Sequence, residues 1–178
     1  MDTTFLLDRL RTITDFPKPG IHFKDVSTWF NDPACLSMLA DEIVRRYEKH
    51  GVTKVVGIES RGFVLGAIVA ERLGAGFVMC RKPGKLPGKT LKASYAKEYG
   101  IDNIEIHLGA INRDDVVLIH DDLLATGGSM KAAVDLVKAF GPIRVLVNFL
   151  IELRMEGLKG REALAGMAET EALMTIEE

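Results

Sequence analysis

Three short apolar runs, Lys54-Val-Val-Gly-Ile58, Gly76-Phe-Val-Met-Cys80 and Val116-Val-Leu-Ile-His120, are too brief for helices and sit among segments with helical periodicity. Strands interleaved with helices call for crossovers, and crossovers make the strands parallel in one sheet with helices on its faces. Residues 33–50 carry Leu36, Leu39, Ala40, Ile43, Val44 and Tyr47 as one helical stripe. Asp32 stands as N-cap, Pro33 at the first helical position and Gly51 at the end. Further helices are predicted over 63–73 and over 128–140, the latter closed by Gly141-Pro142, and a further strand over 143–151. Residues 104–107 alternate like an exposed strand. Residues 81–100, with Pro83, Pro87, Gly84 and Gly88, hold no sustained apolar period and read as a long loop. The first thirty residues, with Pro17, Pro19 and Gly20, are expected to cover one edge of the core. The fold class is therefore α/β, an open, mainly parallel twisted sheet flanked by helices.

A chain of 178 residues suffices for one domain, 1–178, with a sizeable core. Its 23 Lys+Arg against 25 Asp+Glu give no global attraction to nucleic acid or to an anionic membrane. No run approaches the roughly 20 apolar residues of a spanning helix, and the first residues do not read as a signal peptide. Cys35 and Cys80 are too few and too far apart for a disulfide scaffold, so a reduced, cytoplasmic setting is expected. Both cysteines, with Met38, Met79 and Met130, are assigned to the core; Trp29 is either core or subunit contact.

In open α/β sheets, ligands bind beyond the carboxyl ends of the strands. The turn after His120 holds Asp121 and Asp122 and then Ala125-Thr126-Gly127-Gly128-Ser129, leading into a helix. Backbone N–H groups at that helix start, with the Thr126 and Ser129 hydroxyls, make a cradle for a phosphate. The carboxylates cannot bind phosphate, so they serve something attached to it, such as sugar hydroxyls or a hydrated magnesium ion. Between Glu71 and Glu98 there is no acid, while Arg72, Arg81, Lys82, Lys85, Lys89, Lys92 and Lys97 supply positive charge. That suits a polyanionic small ligand better than RNA, which would want interleaved aromatics. Glu59-Ser60-Arg61-Gly62 is a third turn with a cation and small residues.

These stretches resemble the type I phosphoribosyltransferases, and in order and register they are similar to the adenine phosphoribosyltransferases. The resemblance rests on Asp15-Phe-Pro-Lys-Pro-Gly-Ile-His-Phe-Lys-Asp25, Glu59-Ser-Arg-Gly-Phe63, Arg81-Lys-Pro-Gly-Lys-Leu-Pro-Gly88, Tyr95-Ala-Lys-Glu-Tyr-Gly100, the run from Val116 through Ser129, and Leu158-Lys-Gly-Arg-Glu162. The tail from Ala165 onward matches little. The resemblance implies transfer of the 5-phosphoribosyl group from phosphoribosyl pyrophosphate (PRPP) to adenine, giving AMP and pyrophosphate, with Mg2+ held mainly by PRPP, pyrophosphate and water. It implies a hood over the base at about 1–33, with the His22 backbone and Lys24 near adenine, and a flexible catalytic loop at about 81–100. Arg61 with Ser60, Arg81, Lys82 and Lys85 would take the pyrophosphate. Asp121 and Asp122 would take the ribose, and Ala125, Thr126, Gly127, Gly128 and Ser129 the 5′-phosphate. Glu98, beside Tyr99, would exchange a proton with the purine, and a cis peptide is expected at Glu59-Ser60. The family acts as homodimers. Two rivals are a nucleotide-sensing regulator on the same fold and a transferase for another purine.

Overall fold

The first thirty residues stay out of the central sheet. They form α1 (Thr3–Leu7), an antiparallel hairpin of β1 (Arg11–Thr14) and β2 (His22–Asp25), and α2 (Ser27–Asn31). Leu6 and Trp29 pin this segment to the core: both are fully buried, and the Trp29 indole N–H donates to the Leu6 carbonyl at 2.8 Å. Trp29 is therefore core. The computed structural model describes residues 1–97 and 100–177, with 96, 97 and 100 as backbone alone. Next, α3 (Pro33–Tyr47) starts where the sequence places it. The Asp32 carboxylate accepts from the N–H groups of Ala34 and Cys35, which would otherwise lack partners.

From there strands and helices alternate. β3 (Lys54–Ile58), α4 (Gly62–Leu73) and β4 (Gly76–Cys80) are followed by a hairpin of β5 (Thr90–Lys97) and β6 (Gly100–His107). Then come β7 (Val116–Leu124), α5 (Gly128–Ala139), β8 (Arg144–Arg154), the short α6 (Gly160–Ala163) and β9 (Glu169–Glu177). The central sheet has the order β4-β3-β7-β8-β9, every neighbouring pair parallel. Its strands are apolar on both faces because both faces are covered. Val55, Leu118 and Leu146 point to the side of Trp29, Leu39, Ile43 and Leu65; Val56, Ile119 and Val147 point to the side of Met130, Val134, Ile104 and Ile106.

Four expectations are corrected. The stretch 81–100 is not all loop: Leu91, Ala93 and Tyr95 turn inward at alternate positions, packing β5 against the α5 side of the core. The strand at 104–107 is not exposed, since Ile104, Glu105 and Ile106 are all buried. β7 does not stop at His120 but carries both aspartates as sheet residues, with Asp121 opposite Phe149. Met79 is 41% exposed, because β4 is an edge strand and turns Val78 and Cys80 inward instead. The tail supplies β9, whose acids face outward as befits an edge. Both cysteines are buried and free, and burial pushes the Cys80 thiol up to about 12. Among the described residues, no helix is long and apolar enough to cross a membrane.

Candidate active site

The carboxyl end of β7 gathers most of the polar residues singled out above. Asp122 is nearly buried and its Oδ2 lies 2.9 Å from the Arg61 Nε, while the Asp121 Oδ1 accepts the Asp122 N–H at 3.0 Å. Burial, followed by the charge of Asp122, raises the Asp121 carboxyl well above the ordinary range. Burial raises Asp122 too, with Arg61 pulling it back. The turn that brings Arg61 in can approach only because residue 62 is glycine. A Cβ there would meet the His120 carbonyl oxygen at 2.6 Å and the Asp121 Oδ1 at 3.2 Å. The Glu59-Ser60 peptide is cis, at the position expected.

After Leu124 the chain turns through residues 125–127 into α5. Gly127, at φ 80°, is its N-cap, with no side chain capping the helix. The first N–H groups of α5 therefore have no partner within the helix and face the turn. Thr126 is exposed, and Ser129 half-buried in the first helical turn.

The basic stretch is less uniform than its sequence. Arg72 lies in the last turn of α4 and pairs with Asp41 at 2.6 Å, so it belongs to no loop. Arg81 is gripped by Glu59, Nε to Oε2 and Nη2 to Oε1, both at 3.1 Å, and the Lys82 N–H adds a third bond to Glu59 at 3.0 Å. The Arg81 guanidinium above all holds the Glu59 carboxyl below its usual range. Glu105, buried in β6, accepts from the Gly84 N–H at 2.9 Å and the Thr90 hydroxyl at 3.0 Å, and lies 3.4 Å from the Lys92 Nζ. Lys82 and Lys85 are left with exposed side chains.

The hood closes over the same edge. Lys24 is buried and its Nζ reaches the Thr12 hydroxyl at 3.4 Å, while His22 is exposed. The Arg61 guanidinium stands 5.2 Å from the Phe23 ring centroid, tying the Glu59–Gly62 turn to β2. Between hood and sheet lies a cavity of about 340 Å³. Ile21, His22, Phe23 and Lys24 line one side, Leu123 and Ala125 the floor, and Leu153, Met155 and Leu158 the other side. A volume at the small end of ligand pockets, with apolar walls and few polar groups, suits a flat heterocycle.

The structure thus brings together Ser60, Arg61, Asp121, Asp122, residues 125–129, His22 and Lys24. It places Arg81, Lys82 and Lys85 on the adjoining loop. Glu98 and Tyr99 lie outside the described residues. Glu59, Glu105, Leu123, Leu153 and Met155 were not anticipated as site residues.

Residues 34–164 match the family described as the phosphoribosyl transferase domain. The adenine phosphoribosyltransferase of Bacteroides thetaiotaomicron is 52% identical over 176 residues, 99% of each chain. The chain belongs to the adenine phosphoribosyltransferase family. Solved structures agree. The Giardia lamblia enzyme complexed with 9-deazaadenine matches with a TM-score of 0.92 and 41% identity, over 100% of this chain and 99% of that one. The Saccharomyces cerevisiae enzyme, complexed with adenine and D-2,5-dideoxy-2,5-imino-altritol 1,6-bisphosphate, matches with a TM-score of 0.87 and 40% identity, over 96% and 97%.

His120, the strand residue just before the acid pair, is explained by its surroundings. The ring is buried, and its Nδ1 lies 3.0 Å from the Asn148 side-chain oxygen on the next strand. Burial lowers the ring's pKa to about 4, so His120 is a neutral strand-to-strand link.

Proposed function

We propose that the chain carries out its family's reaction by dividing the substrates between sheet edge and hood. The reaction is transfer of the 5-phosphoribosyl group from PRPP to adenine, a purine-salvage step that yields AMP and pyrophosphate. The observation that carries the division is the shared boundary of the two subsites. Leu123 and Ala125 line the base-sized cavity from below and are also the residues that lead from the acid pair into the phosphate turn. A nucleotide spanning that boundary would place its phosphate on residues 125–129, its ribose hydroxyls on Asp121 and Asp122, and its base under Lys24 and the His22 backbone.

The chemistry assigns each group a task. Bond cleavage at the ribose C1 leaves an oxocarbenium-like centre and a departing pyrophosphate anion. Arg61, Arg81, Lys82 and Lys85 are read as the cations that receive it, the two arginines exchanging Asp122 and Glu59 for phosphate oxygens. Adenine must give up one proton as N9 bonds to the ribose C1, and Glu98 is read as the carboxylate that accepts it, from N7 when the 7H tautomer attacks through its N9 lone pair. The acid pair offers the hard oxygen donors a hydrated Mg2+ accepts, so it fits an ion whose other ligands come from diphosphate and water. When bound, that ion neutralises charge on the pyrophosphate. A homodimer and a cytoplasmic location belong to the same reading. Parallel assays with adenine, hypoxanthine and guanine, each with PRPP and Mg2+, test it. AMP formation with adenine far above the other bases is expected; IMP or GMP as main product, or ligand binding without pyrophosphate release, would overturn it.

A further inference from the structure

The segment after β8 touches both halves of the proposed site while having little core of its own. Met155 and Leu158 line the base cavity. Two residues on, Gly160 packs on the phosphate turn: a Cβ there would overlap the Ala125 carbonyl and come within 2.7 Å of the Leu124 side chain. The fit is mutual, since a Cβ on Gly127 would stand 3.0 Å from the Gly160 carbonyl oxygen. Yet from 154 to 163 only Gly160 is buried, and α6 is a single turn. A segment with so few apolar contacts is held by its polar anchors.

Its anchor is Arg161. The guanidinium Nε donates to Glu152 Oε1 at 3.1 Å, Nη2 donates to Glu152 Oε2, and Nη1 donates to the Thr170 carbonyl at 2.5 Å. One side chain thereby joins β8, α6 and β9. Glu152 is 2% exposed and lies two residues past Leu150 on the strand that also carries Leu153 into the cavity. Such a forked pair fixes direction as well as distance. Arg154, with its Nε 3.4 Å from Glu152 Oε1, remains beside the carboxylate if Arg161 is removed, so the loss of Arg161 does not strand a buried charge.

We propose that Arg161 is a positioning residue that sets the rear wall of the base cavity and the phosphate turn as one unit, through Leu158 and Gly160 on either side of the same short segment. The inference rests on the reading of those two subsites given above. It assigns a specific job to the tail, whose Thr170 carbonyl completes the anchor.

The test compares Arg161→Ala, Arg161→Lys and Lys159→Ala in the full chain, by steady-state kinetics, melting temperature and calorimetric AMP affinity. Lys159 is the control: it is exposed, two residues away, and only 3.9 Å from Glu162. Arg161→Ala should raise KM for adenine and for PRPP and weaken AMP binding, each by roughly tenfold, the scale of one charge-assisted hydrogen bond. The kcat should stay within about threefold, because no reacting group is touched. Arg161→Lys should recover part of the loss, since a point charge keeps the pair with Glu152 but neither its fork nor the bond to Thr170. Lys159→Ala should match wild type. Unchanged KM values and AMP affinity in Arg161→Ala, whatever its melting temperature, would overturn the inference. If that variant does not fold, Arg161→Lys decides: raised KM values support the inference and wild-type values overturn it. A wild-type chain that forms no AMP overturns the proposed function instead, whereas turnover indifferent to Arg161 overturns only this inference.

Discussion

The end of β7 and the loop from Arg81 to Lys89 carry the two sides of the proposed site, and they are held in place by different forces. Asp121 and Asp122 sit in a strand paired on one side with β3 and on the other with β8, under a turn that only glycine at 62 admits. The loop is fastened from the side by two carboxylates, Glu59 on Arg81 and the Lys82 N–H, and Glu105 on the Gly84 N–H, Thr90 and Lys92. Strand pairing fixes position without regard to ligand. Ion pairs can be exchanged for a ligand's oxygens at little net cost, because one charge-assisted bond replaces another. On the proposed reading, the ribose and its phosphate would meet a preformed surface, and the pyrophosphate would meet cations already gathered but still exchangeable.

If chemistry is assigned to the loop side and holding to the sheet side, the largest effect should come from Glu98. Glu98→Gln keeps shape but cannot exchange a proton, and a lost general acid–base group costs about 10²–10⁴-fold in rate. AMP and PRPP affinities measured by calorimetry should hardly change. Weakened binding with near-normal single-turnover AMP formation would make Glu98 a loop-shaping residue.

Asp121→Asn and Asp122→Asn should lower kcat/KM for PRPP by about 10- to 100-fold, the scale of a hydrogen bond to a charged group. Stability should move the other way. Burial raises both carboxyls above the unfolded value of about 3.9, so the folded state binds the extra proton and loses stability as pH rises through that window. Asn removes the titration. The gain in melting temperature over wild type should therefore be largest at neutral pH and vanish below about pH 4. Melting curves across pH check this, and a gain that does not depend on pH would contradict it.

How much of this contrast could be read from sequence follows from how local each signal is. The strands at Lys54–Ile58 and Gly76–Cys80 came out with their observed bounds because β-branched runs between turn residues depend on nothing distant. The helix at Pro33–Tyr47 was marked by its own cap. By contrast, two adjacent acids look like the end of a strand, and only pairing with β8, which runs on past the end of β3, makes them sheet residues. β5 was hidden because its inward residues include a small alanine between Lys92 and Ser94, and β9 because acids at 169, 171 and 177 flank a short apolar run. Motif residues were legible for the same reason as the strands. The cavity walls at Leu153, Met155 and Leu158 were not, since they meet Ile21 and Phe23 only after folding.

The smallest effects should sort the cations within the loop. Lys82→Ala and Lys85→Ala, each removing an exposed charge, should raise the PRPP KM by up to about fivefold apiece. Lys92→Ala should leave it nearly unchanged, because that charge is already answered by Glu105. Equal effects from all three, in steady-state titrations of PRPP, would mean that the loop acts as a diffuse field and not through selected residues.

The division of substrates is tested most directly by a crystal structure of the chain with AMP bound. The account predicts the phosphate on the backbone of residues 125–129, the ribose hydroxyls on Asp121 and Asp122, and adenine between Ile21–Lys24 and the Leu153–Leu158 wall. A phosphate bound instead among Lys82 and Lys85, with the base outside the cavity beneath the hood, would contradict it.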